Sequence, residues 1–313
     1  MRKPIPLKQG DKVAIVAPSS PISEHTLGQS VDSIRVLGLE PVVFPSCTMS
    51  HGYLSGKDMD RARDINNAFA DTHLKGIFCL RGGYGATRIL PMLDYEMIRK
   101  NPKVFVGYSD ITAFHLAFNQ ICGFTTFHGP MPNTDYSKMD AFSLKSLTNN
   151  LFSDKPTGIA ENPPNEIIET ICPGRAQGRV TGGNLSLLQG TLGSPFEVDT
   201  SGKILFIEEV GERPYRLDKA LTALALAGKF QDCEGIILGT FAECEEPESQ
   251  DEQSGSSIAS DSLSLAQIFD EVVKPFQKPA ILNFRAGHIY PQLTIRMGSM
   301  VKLDAASGIV EFK

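Results

Sequence analysis

A chain of 313 residues exceeds the size at which a single hydrophobic core stops growing, so two lobes are expected. Its formal net charge of −6 leaves no basic footprint for nucleic acid or an anionic membrane, and no run approaches the roughly 20 apolar residues of a membrane helix. The apolar run Val13 to Ala17 is too short for the core of a signal peptide, and the 6 cysteines form no CxxC pair and no zinc-like spacing. These features point to a cytoplasmic protein with reduced thiols and no metal.

The first half alternates short β-rich runs with helical patterns, the signature of a parallel sheet covered by helices. KVAIVAP reads as a strand, and TLGQSVDSIRVLGL as a helix that turns Leu27, Val31 and Ile34 inward. PVVFP is the next strand, and DMDRARDINNAFAD is a helix with acidic residues in its first turn, as the helix dipole favours. LKGIFCLRGGYG is a strand that runs into a glycine-rich turn. KVFVGYSD is a strand that meets a helix abruptly at Ser109, and GFTTFHGPM adds one more strand.

Residues 1–150 are thus expected to form an α/β domain, 151–175 a Pro- and Gly-rich linker, and 176–313 a second domain. In the second, GKILFIEEVGE and CEGIILGTF are strand-like, and RLDKALTALALAGKF and LSLAQIFDEVVKPF are helical. LTIRMGSMVKLDAASGIVEF alternates as antiparallel strands do. The segment from Glu243 to Ser262 is acidic, Ser-rich and almost without apolar residues, so it is expected to be a mobile surface loop.

Ser109 stands at the carboxyl end of a predicted parallel strand, where open α/β sheets build their sites. Gly107-Tyr108-Ser109-Asp110-Ile111 resembles the G-x-S-x-G nucleophile elbow but lacks its second glycine, so a helix-capping serine is the competing reading. A serine nucleophile needs a base, because its hydroxyl is un-ionised at neutral pH. Of the 6 histidines, His128 in FHGPM and His288 in RAGHIYP each follow a strand-like run, and periodicity does not choose between them. Glu208 and Glu209 end a strand in carboxylates, a candidate position for the group that orients the base. The turn LRGGYG permits close approach of backbone N–H groups to a reacting carbonyl, and Arg81 beside it could clamp a carboxylate. It matches no phosphate-binding motif well enough to imply a nucleotide.

Taken together, GDKVAIVAPSSP, LRGGYGATRIL, VGYSDITAFH, FHGPM, GGNLSLLQGTLGSP, LFIEEVGERPYRLDKAL and AGH resemble the LD-carboxypeptidase family, in order from residue 11 to about residue 290. That family includes murein tetrapeptide carboxypeptidases and microcin C immunity proteins. The resemblance implies an N-terminal parallel-sheet α/β lobe and a C-terminal lobe containing a β-barrel-like sheet with helices. It implies a Ser–Glu–His triad of Ser109, Glu208 and His288, with Glu209 as the alternative acid, and an oxyanion hole from the backbone N–H groups of Gly83 and Asp110. No cofactor is required. The implied activity is hydrolysis of an L,D-peptide bond, releasing the terminal D-Ala of a murein tetrapeptide in peptidoglycan recycling, by a homodimer. The immunity branch, which hydrolyses aminoacyl nucleotides, tends to stack the base on aromatic residues, often Trp, and this chain has none. A reading of another class is a non-catalytic binder of small ligands, in which Ser109 only caps a helix.

Overall fold

The computed structural model describes residues 1–246 and 262–313. In chain order its strands begin with β1 (Lys12–Val16), β2 (Glu40–Val43), β3 (Gly76–Cys79), β4 (Val104–Gly107), β5 (Thr126–His128), β6 (Gly158–Ile159) and β7 (Glu169–Cys172). They continue with β8 (Arg175–Asn184), β9 (Lys203–Val210), β10 (Gly235–Ala242), β11 (Ala280–Leu282), β12 (Ile295–Met297), β13 (Met300–Asp304) and β14 (Ile309–Phe312).

They form two sheets. The first has the order β12-β5-β4-β3-β1-β2, with β1 to β5 mutually parallel as the alternating pattern implies. Every residue of β3 and β4 is buried, because helices cover both faces of this sheet. The helix Glu24–Val36 begins at Ser23, whose hydroxyl accepts from the Thr26 N–H. Its Leu27 and Val31 pack beside Ile34 against the core. On the other face Phe69, Phe105, Phe114 and Phe118 are fully buried against one another, with ring centroids 5.0–6.0 Å apart. Two of these rings lie on or just after the helix Thr112–Ala117, so the turn carrying Ser109 is anchored from below. Burial of each ring is worth roughly 1.5–3 kcal/mol.

The second sheet has the order β6-β14-β13-β8-β9-β10-β11-β7, with β8 to β11 parallel and the outer strands antiparallel. Among the described residues it is open where a barrel-like closure was expected: β6 and β7 stand at opposite ends and each pairs with one neighbour. Two further features depart from the sequence reading. The expected linker 151–175 supplies both edge strands, β6 on β14 and β7 on β11, and its Thr170 hydroxyl also bonds the Ala305 carbonyl at 2.6 Å. Edge strands pair through one side of the backbone and tolerate the Pro and Gly around them. β12, which the chain reaches only after the second sheet is largely built, crosses back to pair antiparallel with β5 in the first. The expected acidic surface loop over 243–262 lies outside the described residues from 247 to 261. Among the described residues, no helix is long and apolar enough to cross a membrane.

Candidate active site

β4 ends at Gly107, and a Cβ there would lie 2.7 Å from Ile111 Cγ2, so the chain can turn this tightly only over glycine. Two residues on, Ser109 holds φ at +65°, a left-handed conformation that costs a non-glycine residue roughly 1–3 kcal/mol. Neither the short 3-10 turn Ser109–Ile111 nor the helix Thr112–Ala117 is capped by a side chain, which removes the capping role from Ser109. Strain without a cap is what a nucleophile elbow displays.

The glycine turn lies directly against this corner. A Cβ on Gly82 would be 2.8 Å from Ser109 Cβ and 3.0 Å from its Oγ. Gly83 next to it has φ +116° and is exposed, and its N–H has no hydrogen-bond partner among the described residues. The turn is braced by groups whose sequence signal went unread. The buried Asp110 carboxylate accepts from Ser19 Oγ at 2.6 Å and from the Ala86 N–H at 2.8 Å. Burial pushes its pKa above the usual carboxylate value, against the pull of those hydrogen bonds. Arg61, fully buried, donates to the Gly85 carbonyl at 2.9 Å and to the Pro18 carbonyl. Arg81, expected as a free carboxylate clamp, instead donates to the Gly82 carbonyl at 3.2 Å and the Pro21 carbonyl at 3.4 Å. It ties the turn to its neighbour.

Glu208 is fully buried on β9, and its Oε2 accepts from His288 Nδ1 at 2.7 Å. The approach depends on glycine: a Cβ on Gly287 would lie 2.8 Å from Glu208 Oε2. Burial lowers the His288 pKa, but the hydrogen bond and charge of Glu208 outweigh it, and the net direction is upward from 6.5. Burial raises Glu208 above its ordinary value, and His288 opposes that rise.

Glu209, one residue on, faces away. Its carboxylate accepts from Asn184 Nδ2 at 2.8 Å, the Ser186 N–H at 2.8 Å, Ser186 Oγ at 2.6 Å and the Val210 N–H at 2.9 Å. It is satisfied four times over, holding the start of the helix Leu185–Gly190 against β9.

The two halves meet at Tyr108. Its ring lies 4.7 Å, centroid to centroid, from His288 and 5.8 Å from His128. The other candidate base, His128, is fully buried with no hydrogen-bond partner at either ring nitrogen among the described residues, and burial holds its pKa well below 6.5. His115 is likewise buried, bonded to Thr126 Oγ1 and the Gly107 carbonyl at 2.8 Å each. His25, His51 and His73 are exposed. Ser109 thus follows a strand of the first sheet and Glu208 lies on a strand of the second. His288 sits on the segment between β11 and β12 that passes from one sheet to the other. The arrangement offers a strained hydroxyl, an imidazole oriented by a buried carboxylate, and backbone N–H groups at a glycine turn. Those are the parts of a serine hydrolase.

Comparison with known proteins agrees with this chemistry. Residues 13–129 match the LD-carboxypeptidase N-terminal domain, and residues 177–303 match the LD-carboxypeptidase C-terminal domain. A probable murein peptide carboxypeptidase of Bacillus subtilis (strain 168) is 38% identical over 307 residues, covering 97% of this chain and 92% of that protein. The crystal structure of a muramoyltetrapeptide carboxypeptidase from Oxalobacter formigenes has a TM-score of 0.81 at 26% identity, covering 96% of this chain and 98% of its own. An MccF-like protein from Bacillus anthracis has a TM-score of 0.86, also at 26% identity, covering 100% of this chain and 98% of its own. The chain belongs to the LD-carboxypeptidase family, and is a carboxypeptidase of that serine-peptidase type.

Proposed function

We propose that this carboxypeptidase hydrolyses an L,D-peptide bond and releases the terminal D-Ala of a murein tetrapeptide, with Ser109 as nucleophile, His288 as base and Glu208 as the orienting acid. The observation that carries this reading is the 2.7 Å contact between His288 Nδ1 and Glu208 Oε2, on a histidine packed against the residue beside a strained serine. With Nδ1 committed to Glu208, Nε2 is the nitrogen left to take the Ser109 proton as Oγ attacks the scissile carbonyl. The imidazolium formed is stabilised by the carboxylate. The N–H groups of Gly83 and Asp110 hold the oxyanion, and loss of one such donor typically costs ~100-fold or more. The tetrahedral intermediate collapses as His288 returns the proton to the leaving amine of D-Ala. Water, activated by the same histidine, then releases the acyl group from Ser109.

The substrate follows from the murein peptide carboxypeptidase relative and the muramoyltetrapeptide carboxypeptidase neighbour. Peptidoglycan recycling would place the enzyme in the cytoplasm, and the family resemblance implies a homodimer. All 6 cysteines are free and buried, which suits a reducing compartment. A second reading, hydrolysis of aminoacyl nucleotides, rests on the likeness to an MccF-like protein.

The test is mass spectrometry of L-Ala-γ-D-Glu-meso-diaminopimelyl-D-Ala incubated with wild type and with Ser109→Ala. Loss of one alanine with wild type alone supports the reading. Equal cleavage by the variant overturns the triad, and cleavage of an aminoacyl nucleotide in place of the tetrapeptide selects the second reading.

A further inference from the structure

Tyr53 and Tyr84 are two of four exposed aromatic side chains among the described residues, at 66% and 49% exposure. Their rings lie 5.8 Å apart, centroid to centroid, at an interplanar angle of 57°, a tilted aromatic pair. Tyr84 belongs to the same glycine turn as Gly82, which lies against Ser109, and Gly83.

Both tyrosines sit on turns braced by hydrogen bonds. The Tyr84 N–H donates to Ser20 Oγ at 3.3 Å, and the flanking Gly83 and Gly85 have φ of +116° and +126°. Tyr53 sits on a tight turn closed by hydrogen bonds between His51 and Leu54, 2.7 and 3.1 Å long. Leu54 is buried against Gly85, where an added Cβ would come within 2.6 Å of it. Two segments distant in sequence are therefore locked together, and what they present outward is two tyrosines. Beside them Arg88 pairs with Asp58 through Nε and Nη2, 2.8–3.1 Å, leaving further donors on a half-exposed guanidinium.

We infer that Tyr53 and Tyr84 form a stacking subsite for the pyranose ring of a muramyl-linked peptide, an inference that rests on the murein-peptide reading above. A pyranose ring carries apolar C–H groups on its face that can pack on an exposed tyrosine ring, with hydroxyls at its rim for the polar tips. The distances agree. In a tetrapeptide the scissile carbonyl belongs to the third residue, so three residues, with the two extra chain carbons of the γ-linked D-Glu, let the sugar's lactyl group lie up to ~13 Å from the reacting carbon. The Tyr84 Cα is no more than ~8 Å from that of Gly82, which touches Ser109, and its ring reaches several ångströms further.

The experiment compares kcat and KM for alanine release from free tetrapeptide and from N-acetylmuramyl-tetrapeptide, using wild type, Tyr53→Ala and Tyr84→Ala. The expected result is that the ratio of kcat/KM between sugar-bearing and free substrate falls about five- to tenfold in each variant, mainly through KM. A ratio unmoved within about twofold in Tyr53→Ala, the variant in the segment remote from the glycine turn, overturns the subsite while leaving the reaction intact. Absence of alanine release from both substrates by wild type overturns the reaction and the subsite with it.

Discussion

Glu208→Gln keeps the size and nearly the shape of a side chain that is fully buried. It removes the charge facing His288 at 2.7 Å and allows the amide to present the wrong hydrogen-bonding group. Two unit charges with centres about 4 Å apart interact by about 4 kcal/mol at an effective dielectric of about 20. That interaction exists only after His288 has taken the serine proton, so its loss falls on the transition state, and 4 kcal/mol corresponds to ~10³-fold in kcat. The same charge holds the His288 pKa above 6.5, and the base works only when unprotonated, so in wild type the acidic limb of kcat/KM lies above pH 6.5. In Glu208→Gln burial is opposed by the charge of Glu209 but no longer by that of Glu208, and the limb moves to lower pH. The assay is D-Ala release, followed by a coupled D-amino-acid oxidase from about pH 5 to about pH 9 at constant ionic strength. A variant within tenfold of wild type, or a limb that stays in place, would refute the assignment of Glu208 as the charge that orients and raises His288.

Ser109→Gly should abolish activity and yet raise stability. Relief of the +65° φ returns roughly 1–3 kcal/mol, against about 0.5–1 kcal/mol for the greater freedom of glycine in the unfolded chain, leaving a gain near 1 kcal/mol in denaturant melts. A net loss of stability would show that the corner is not strained. Gly82→Ala meets no backbone penalty of the left-handed kind, but its Cβ would sit 2.8 Å from Ser109 Cβ, so the serine or the turn must shift. A displacement of about 1 Å at a reacting atom costs on the order of 100-fold, so kcat should fall by about that factor. Wild-type kinetics in this variant would mean that the glycine turn does not border the reacting groups.

The parts of the site that are local in sequence were legible in the sequence. A buried strand, a glycine and an abrupt helix place Ser109 at a corner whatever the rest of the chain does, and the capping alternative needed only the absence of a cap to fall. The pairing of Glu208 with His288, 80 residues apart, was reached through family resemblance, because no local periodicity reports which strand end meets which loop. The choice between Glu208 and Glu209 is a matter of strand alternation. Successive residues point to opposite faces, and only the packed structure says that the face of Glu208 looks toward His288 while that of Glu209 looks toward Ser186. For Arg81 the sequence reads the same whether its donors meet a substrate or the turn itself, and two of them meet the turn and Pro21. The edge strands β6 and β7 were hidden for a different reason: two- and four-residue strands among Pro and Gly pair by backbone alone and leave no side-chain pattern.

The return of β12 to the first sheet bears on how the enzyme comes into being. A ribosome releases the chain from its amino end, and the sheet that carries Ser109 has every parallel strand by residue 128, yet its outer neighbour to β5 arrives only with Ile295–Met297. Until then β5 is an unpaired edge ending in His128, open to association with another nascent chain. The strand that covers that edge follows directly on the segment bearing His288, so protection of the edge and delivery of the proposed base are one late event in synthesis. A chain that stalls before this point carries its serine but not its histidine. On the proposed triad, hydrolytic competence therefore arrives together with the strand that closes this edge of the first sheet.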